Sequence, residues 1–110
     1  MIINIWKEQD LNLVQELPQQ VNDDIRENLK ILEENYGTER TVQDLGGYIA
    51  VVDEDDIVTF KEEILKGIVA EYIDHIEGTD YISVLFLCSS DFSIVVICKK
   101  ELKDLIEKVD

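Results

Sequence analysis

Asp53-Glu54-Asp55-Asp56 is a run of four consecutive carboxylates, following directly on the apolar pair Val51-Val52. Such a run has three uses: it can ligate a hard cation, face a basic partner, or stay hydrated in a connection. Calcium is the testable case. An EF-hand loop starting at Asp53 needs an oxygen ligand at its fifth position, glycine at its sixth and Glu at its twelfth. The chain offers Ile57, Val58 and Ile64 there. Starting at Asp55 or Asp56 fares no better, so the spacing argues against a calcium loop and leaves the other two uses open.

Nucleophilic chemistry has two starting points. His75 follows Asp74, but neighbours on a helix point about 100° apart and do not form an orienting pair. Cys88-Ser89-Ser90 has no Gly-rich anion cradle and no base placed beside it, which favours a buried structural thiol. The sequence contains no G-x-S-x-G, P-loop, dinucleotide fingerprint, H-E-x-x-H or C-x-x-C pattern. No catalytic residue, metal ligand or cofactor is therefore assigned, and a non-enzymatic protein is expected. Tyr48 and Tyr72 could line a pocket, yet both lie on apolar stripes and read more simply as core.

Charge is the outlying property, at −15 from 25 acids and 10 bases over 110 residues. Residues 1–32 carry six acids and three bases, residues 33–96 fifteen and three, and residues 97–110 four and four. The excess thus sits in the middle of the chain. Nucleic acid or an anionic membrane is excluded as a direct partner, because such partners need clustered Lys and Arg. A basic protein partner is allowed, and Asp53, Glu54, Asp55, Asp56, Glu62 and Glu63 are the expected contact residues. The competing explanation is that acidity serves only solubility.

The elements that would position these groups follow from periodicity. Ile2 to Trp6 reads as a strand, and Asp10 could cap a brief helical turn carrying Leu11, Val14 and Leu17 before Pro18. Val21, Ile25, Leu29, Leu32 and Tyr36 make one stripe of a helix over about 19–36, which Gly37 ends; its polar face carries Asp23, Glu27, Glu33 and Glu34 beside Arg26 and Lys30. Gly46-Gly47 marks a turn or close backbone approach before a strand over about 47–53. Thr59 and Glu62 have capping-box spacing ahead of a helix over about 60–77, which Gly67 weakens. A short helix followed by a strand at Val69 to Ile76 is the competing reading.

YISVLFLC and FSIVVIC, separated by a short polar turn, form a hairpin of strands over about 81–88 and 92–98. With Ser90 and Asp91 as its loop, Cys88 faces Ser93, Phe86 faces Val95, Val84 faces Ile97 and Ser83 faces Cys98. Both faces of this hairpin are apolar, so either helices cover both or one is buried in an oligomer such as a homodimer. A last amphipathic helix spans about 100–109. The expected fold is a single α+β domain over residues 1–110, with a small, mainly antiparallel sheet of three to four strands. No apolar run reaches membrane-span length, the N-terminus lacks signal-peptide features, and two cysteines without metal spacing fit reduced thiols, so a cytoplasmic protein is expected.

NYGTER, DLGGYIAVV and the closing hairpin resemble small acidic proteins of phages and integrative elements in low-GC Gram-positive bacteria. The shared features are Tyr36, Gly37 and Arg40, then Gly46, Gly47 and Tyr48, then the hairpin, together spanning residues 35–98. The resemblance implies no activity. It implies a setting, mobile DNA, in which small acidic proteins block host or rival machinery, for instance as inhibitors or anti-defence proteins that mimic the charge of DNA in a basic cleft. The alternative is an immunity-type or homodimeric protein that makes contact through an apolar sheet face.

Overall fold

The computed structural model describes residues 2–37, 47–89 and 92–107. Five strands form one sheet in the order β1-β2-β5-β4-β3, with β1 Ile2–Ile5, β2 Tyr48–Val52, β3 Tyr72–His75, β4 Tyr81–Ser89 and β5 Phe92–Lys99. The fold is α+β as expected, but the sheet has five strands and is mixed. β2 runs parallel to β5, while the other neighbouring pairs are antiparallel. The central β5 explains the apolar run of its sequence. Flanked by β2 and β4, it buries Ser93 to Cys98 on both faces, so alternation has no solvent side to express.

Helix α1, Gln19–Tyr36, buries Val21, Ile25, Leu29 and Leu32. Gly37 closes it at φ +90°, its N–H donating to the Glu33 carbonyl. A 3-10 helix, Glu8–Val14, lies beside α1 and contributes Leu11 and Val14 to the same core. Asn22 on α1 ties the two together, its side-chain amide donating to the carbonyls of Val14 and Leu17 at 3.1 and 3.2 Å. Asp10 caps this helix from within its first turn rather than from its start, accepting the N–H groups of Trp6 and Lys7. Together these elements cover Ile5, Ile49, Val95 and Ile97 on one sheet face.

The opposite face is covered by α2, Ile57–Phe60, which continues as a wider π-turn over Lys61–Leu65, and by α3, Lys103–Glu107, entered through the short 3-10 turn Lys100–Leu102. Lys61 Nζ donates to the Leu105 carbonyl at 2.6 Å and fastens α2 to α3. Ile57, Phe60, Leu65, Leu102 and Ile106 pack here on Ile82, Val84, Phe86, Val96 and Cys98. Trp6 stacks on Tyr48 at 4.5 Å, and Phe92 meets the same ring edge-on at 6.1 Å. Tyr48 is core, as its place on an apolar stripe implies.

The helix expected over 60–77 is cut in two. It begins at Ile57 because Ile57 and Phe60 form a fully buried pair, and Asp56 rather than Thr59 occupies the position before it. The Thr59–Glu62 capping box is consequently absent. The helix stops where Lys66 adopts φ +49° and Gly67 φ +83°. Two successive left-handed residues reverse the chain, and the Glu71 N–H then reaches the Leu85 carbonyl to start β3. The short-helix-then-strand alternative is the one that forms, since β3 exchanges a few intrahelical bonds for a ladder with β4.

The hairpin pairs Ser89 with Phe92, but an irregularity between Leu87 and Ser89 shifts the register by one. Leu87 opposes Ser93, Phe86 opposes Ile94, Val84 opposes Val96, and Ile82 rather than Ser83 opposes Cys98. Even-numbered residues of both strands thereby share the α2–α3 face, and a bulge at Cys88 corrects what two-residue-loop arithmetic alone misassigns. The loop residues Ser90 and Asp91, the stretch 38–46 with Arg40 and Gly46, and the last two residues of the expected final helix lie outside the described residues. No described helix is long and apolar enough to cross a membrane.

Gly47 is the close approach its sequence signalled. At φ +91° it lies against the backbone of Ser93 at the start of the parallel ladder, and any Cβ there would overlap the Ser93 carbonyl oxygen. Gly47→Ala should destabilise the fold by about 3 kcal/mol, combining left-handed strain with displacement of a central strand. Gly67→Ala meets open space and should cost about 1 kcal/mol. Urea midpoints compare the two; equal losses would mean that the β2–β5 approach is not tight.

Candidate functional site

Two clefts concentrate carboxylates. The first, of 390 Å³, lies beyond the carboxyl ends of the parallel strands β2 and β5. Asp53, Glu54 and Asp55 border it together with Glu101, and Lys99 projects into the same space. Asp53 is partly committed to its own turn, since both its carbonyl and its carboxylate accept the Asp56 N–H at 3.2 Å. Asp56 precedes α2. Glu62 and Glu63 are exposed on the π-turn and border none of the described clefts. Three of the six expected contact residues therefore share a cleft, and the two glutamates do not join them.

The second, a groove of 440 Å³, runs between α1 and the β3–β4 end of the sheet. Its α1 wall is a stripe of its own, Asp24, Asn28, Ile31 and Asn35, at spacings of four, three and four, flanked by Glu27 and Tyr36. Its floor comes from β4 and β3, where Ser83 pairs with Asp74 and Leu85 with Tyr72. The groove is graded along its length. Asp24, Glu27 and Asp74 make one end acidic, and Ile31, Leu85 and Tyr72 make the rest apolar. Among the described residues no lysine or arginine lines it, and Arg26 on α1 is engaged with Asp23 at 3.5 Å and Glu8 at 3.9 Å.

The first cleft also has apolar walls, from Ile3, Leu17, Val51, Tyr81 and Leu102, but none of these side chains is exposed. What separates the groove is the exposure of hydrophobic side chains along it. Nine large hydrophobic side chains among the described residues are exposed, and four of them, Ile31, Tyr36, Tyr72 and Leu87, border it. Tyr72 is 60% exposed and Leu87 49%. A contiguous patch of that kind, edged with charge, marks a surface that gains by being covered.

Asp24 records the crowding of negative charge. Burial, then the nearby Asp74 and Glu27 carboxylates, raise its pKa from an ordinary 3.8 to about 6, against the lowering effect of a hydrogen bond from the Asn28 side chain. The folded chain holds that proton more tightly than the unfolded one. The associated stability is present below about pH 4 and is lost as pH rises through about 6. Asp24 is only half buried, so solvent screening leaves a penalty at neutral pH of about 1 kcal/mol.

The candidates for nucleophilic chemistry lie apart. His75 is exposed on β3, with Nε2 2.8 Å from the Thr79 carbonyl. Cys98 is fully buried and its thiol is pushed up to about 12 by burial, while burial also raises Cys88. Both cysteines are free. Among the described residues no group of three or more His, Cys, Asp or Glu side chains is arranged to hold a metal ion. No family model, curated protein or solved structure matches the chain.

Sequence reasoning missed the groove for a specific reason. By periodicity Glu27 falls on a solvated helix face and Tyr72 on a core stripe, because their common neighbourhood depends on β3 forming. One signal was present: Ile31 is apolar but out of phase with the Val21-to-Leu32 stripe.

Asp24→Asn, which keeps an acceptor for Asn28, should stabilise the protein by about 1 kcal/mol near pH 7.5. The gain should vanish by about pH 4, where the wild-type carboxyl is protonated. Chemical denaturation across that range measures it, and a gain independent of pH would contradict the charge crowding. A thiol reagent near pH 8 should leave Cys98 unmodified until the protein unfolds.

Proposed function

We propose that this chain is a non-enzymatic binding protein that engages a basic protein partner and, in the setting of mobile DNA implied by its sequence resemblance, blocks that partner as an inhibitor or anti-defence protein. The observation that carries the reading is the groove between α1 and β3–β4, where three carboxylates, without a counter-cation among the described residues, adjoin four exposed apolar side chains. Charge of one sign steers encounter and selects a partner of the other, while apolar surface supplies the energy that holds it.

The acidic first cleft extends the same character to a second part of the surface. Asp53, Glu54 and Asp55 there would meet further cations of a partner's basic cleft, in the manner of phosphate charge. Glu62 and Glu63 would add to the field that steers encounter rather than to a shared contact. A non-enzymatic role is supported by the separate placement of His75, Cys88 and Cys98 and by the burial that keeps the thiols protonated.

Affinity capture from bacterial lysate with mass spectrometry, at low and at raised salt, tests the reading. A basic protein should be retained at low salt and weaken steeply as salt rises, because exposed charge pairs are screened. Changing Asp24, Glu27 and Asp74 together to Asn or Gln should cost at least about tenfold in affinity, more than the same change at Asp53, Glu54, Asp55 and Asp56. Retention of no partner, or of one whose affinity ignores salt, would refute it.

A further inference from the structure

α1 and the Glu8–Val14 helix together cover β1, β2 and β5 on their side of the sheet, and little beyond. On β4, Ile82, Val84 and Phe86, beneath α2 and α3, are all buried, whereas on the α1 side cover thins toward the hairpin end: Ser83 is buried, Leu85 half-buried and Leu87 exposed. The strip that the described helices leave uncovered is two strands wide. At about 4.8 Å between strands it spans roughly 10 Å, the diameter of one α-helix, and its side wall is α1 itself, already seated at the height of a helix layer.

We propose that the groove receives an amphipathic α-helix of a partner protein, laid beside α1 across β4 and β3, apolar over most of its length and carrying lysine or arginine at one end. This inference rests on the reading of the chain as a binder of a basic partner and names the docking element. The charge gradient fixes the helix's composition. Its cations meet Asp24, Glu27 and Asp74, and its apolar face lies on Ile31, Leu85, Leu87 and Tyr72. From Asp24 to Tyr36 the α1 wall is about 18 Å long at 1.5 Å per residue, enough for roughly three turns of a docked helix.

Two other occupants fit less well. An extended segment added to the free edge of β3 would find a strand of four residues, which offers few outward-facing backbone groups, and its side chains would fall beside the groove rather than in it. A second copy of this chain would bring another net charge of −15 and three more carboxylates to a rim that has no cation among the described residues.

Asp24 makes the docking proton-linked. The groups that face it are Glu27 and Asn28 on α1 and Asp74 on β3, with no base among the described groove residues. An arriving cation would stabilise the ionised carboxyl that crowding disfavours, so binding weakens as acidification through about pH 6 restores the proton.

The probe is a pair of synthetic peptides of about 14 residues with identical Leu, Lys and Gln content, one with leucines at helical spacing and lysines at one end, the other with leucines at every second position. Amide shifts should place the helical-phase peptide on Leu85, Leu87, Tyr72 and the Asp24–Asn35 wall. Its affinity should exceed that of the alternating peptide by about tenfold, and Leu87→Lys should remove a similar factor. Its affinity should also fall below about pH 6 in the wild type and become flatter with pH in Asp24→Asn. Equal or tighter binding of the alternating peptide, or shifts confined to the Asp53–Asp55 cleft, would overturn the helix inference while leaving a basic-partner reading standing. Binding of neither peptide at low salt would overturn both.

Discussion

The structure hinges on the contact of Gly47 with the Ser93 backbone, which lets β2 lie parallel to β5 without a side chain between them. That pairing puts β5 at the centre of the sheet, where both of its faces must be dry. A strand that carries Ile94, Val96 and Cys98 one way and Val95 and Ile97 the other needs a helical layer on each side. α2 and α3 supply one. α1 and the short helix before it supply the other, and because they centre on β1, β2 and β5, the β4–β3 end of that face has no cover of its own among the described residues.

The groove exists because the chain changes secondary structure at Lys66-Gly67. Had the apolar phase of Leu65, Ile68, Val69 and Tyr72 carried the helix through, Tyr72 would have been a core residue and Asp74 part of a solvated helix face. Two left-handed residues instead turn the segment into an edge strand, and alternation along it sends Tyr72 and Asp74 to the α1 side. Asp74 thereby comes close enough to Asp24 to raise its pKa, across fifty residues of sequence. A neutral side chain at position 24 would suit the folded state better near neutrality, so the carboxylate there is maintained against stability. On the binding role proposed for the groove, a cation delivered by a partner would relieve that cost.

Acidic surfaces are often read as solubility alone, and much of this charge fits that reading: Glu62 and Glu63 project from the π-turn, and Asp53 folds back on its own turn. The groove differs because its charges lie beside large hydrophobic side chains that are exposed, which those of the first cleft are not. That combination supports the binding role proposed for it, and neither net charge nor the longest acidic run locates it.

Periodicity in the sequence was enough to place α1, because a stripe of Val21, Ile25, Leu29 and Leu32 bounded by Pro18 and Gly37 leaves one helical phase. It also determined the hairpin of β4 and β5, the two-sided burial of β5, the close approach at Gly47, and the misfit of Asp53 to Asp56 with a calcium loop. Each of these depends on neighbours a few residues apart or on a glycine whose backbone no other residue tolerates. Tertiary structure decided the rest. The parallel β2–β5 pairing depends on long-range order that local pattern does not carry, and the one-residue register shift arises from a bulge at Cys88 that no turn signal announces. The break at Gly67 turns on whether β4 offers β3 a ladder worth more than the continued helix. The groove depends on all three, since Asp24, Asp74 and Leu87 become neighbours only once the sheet fixes which edge faces α1.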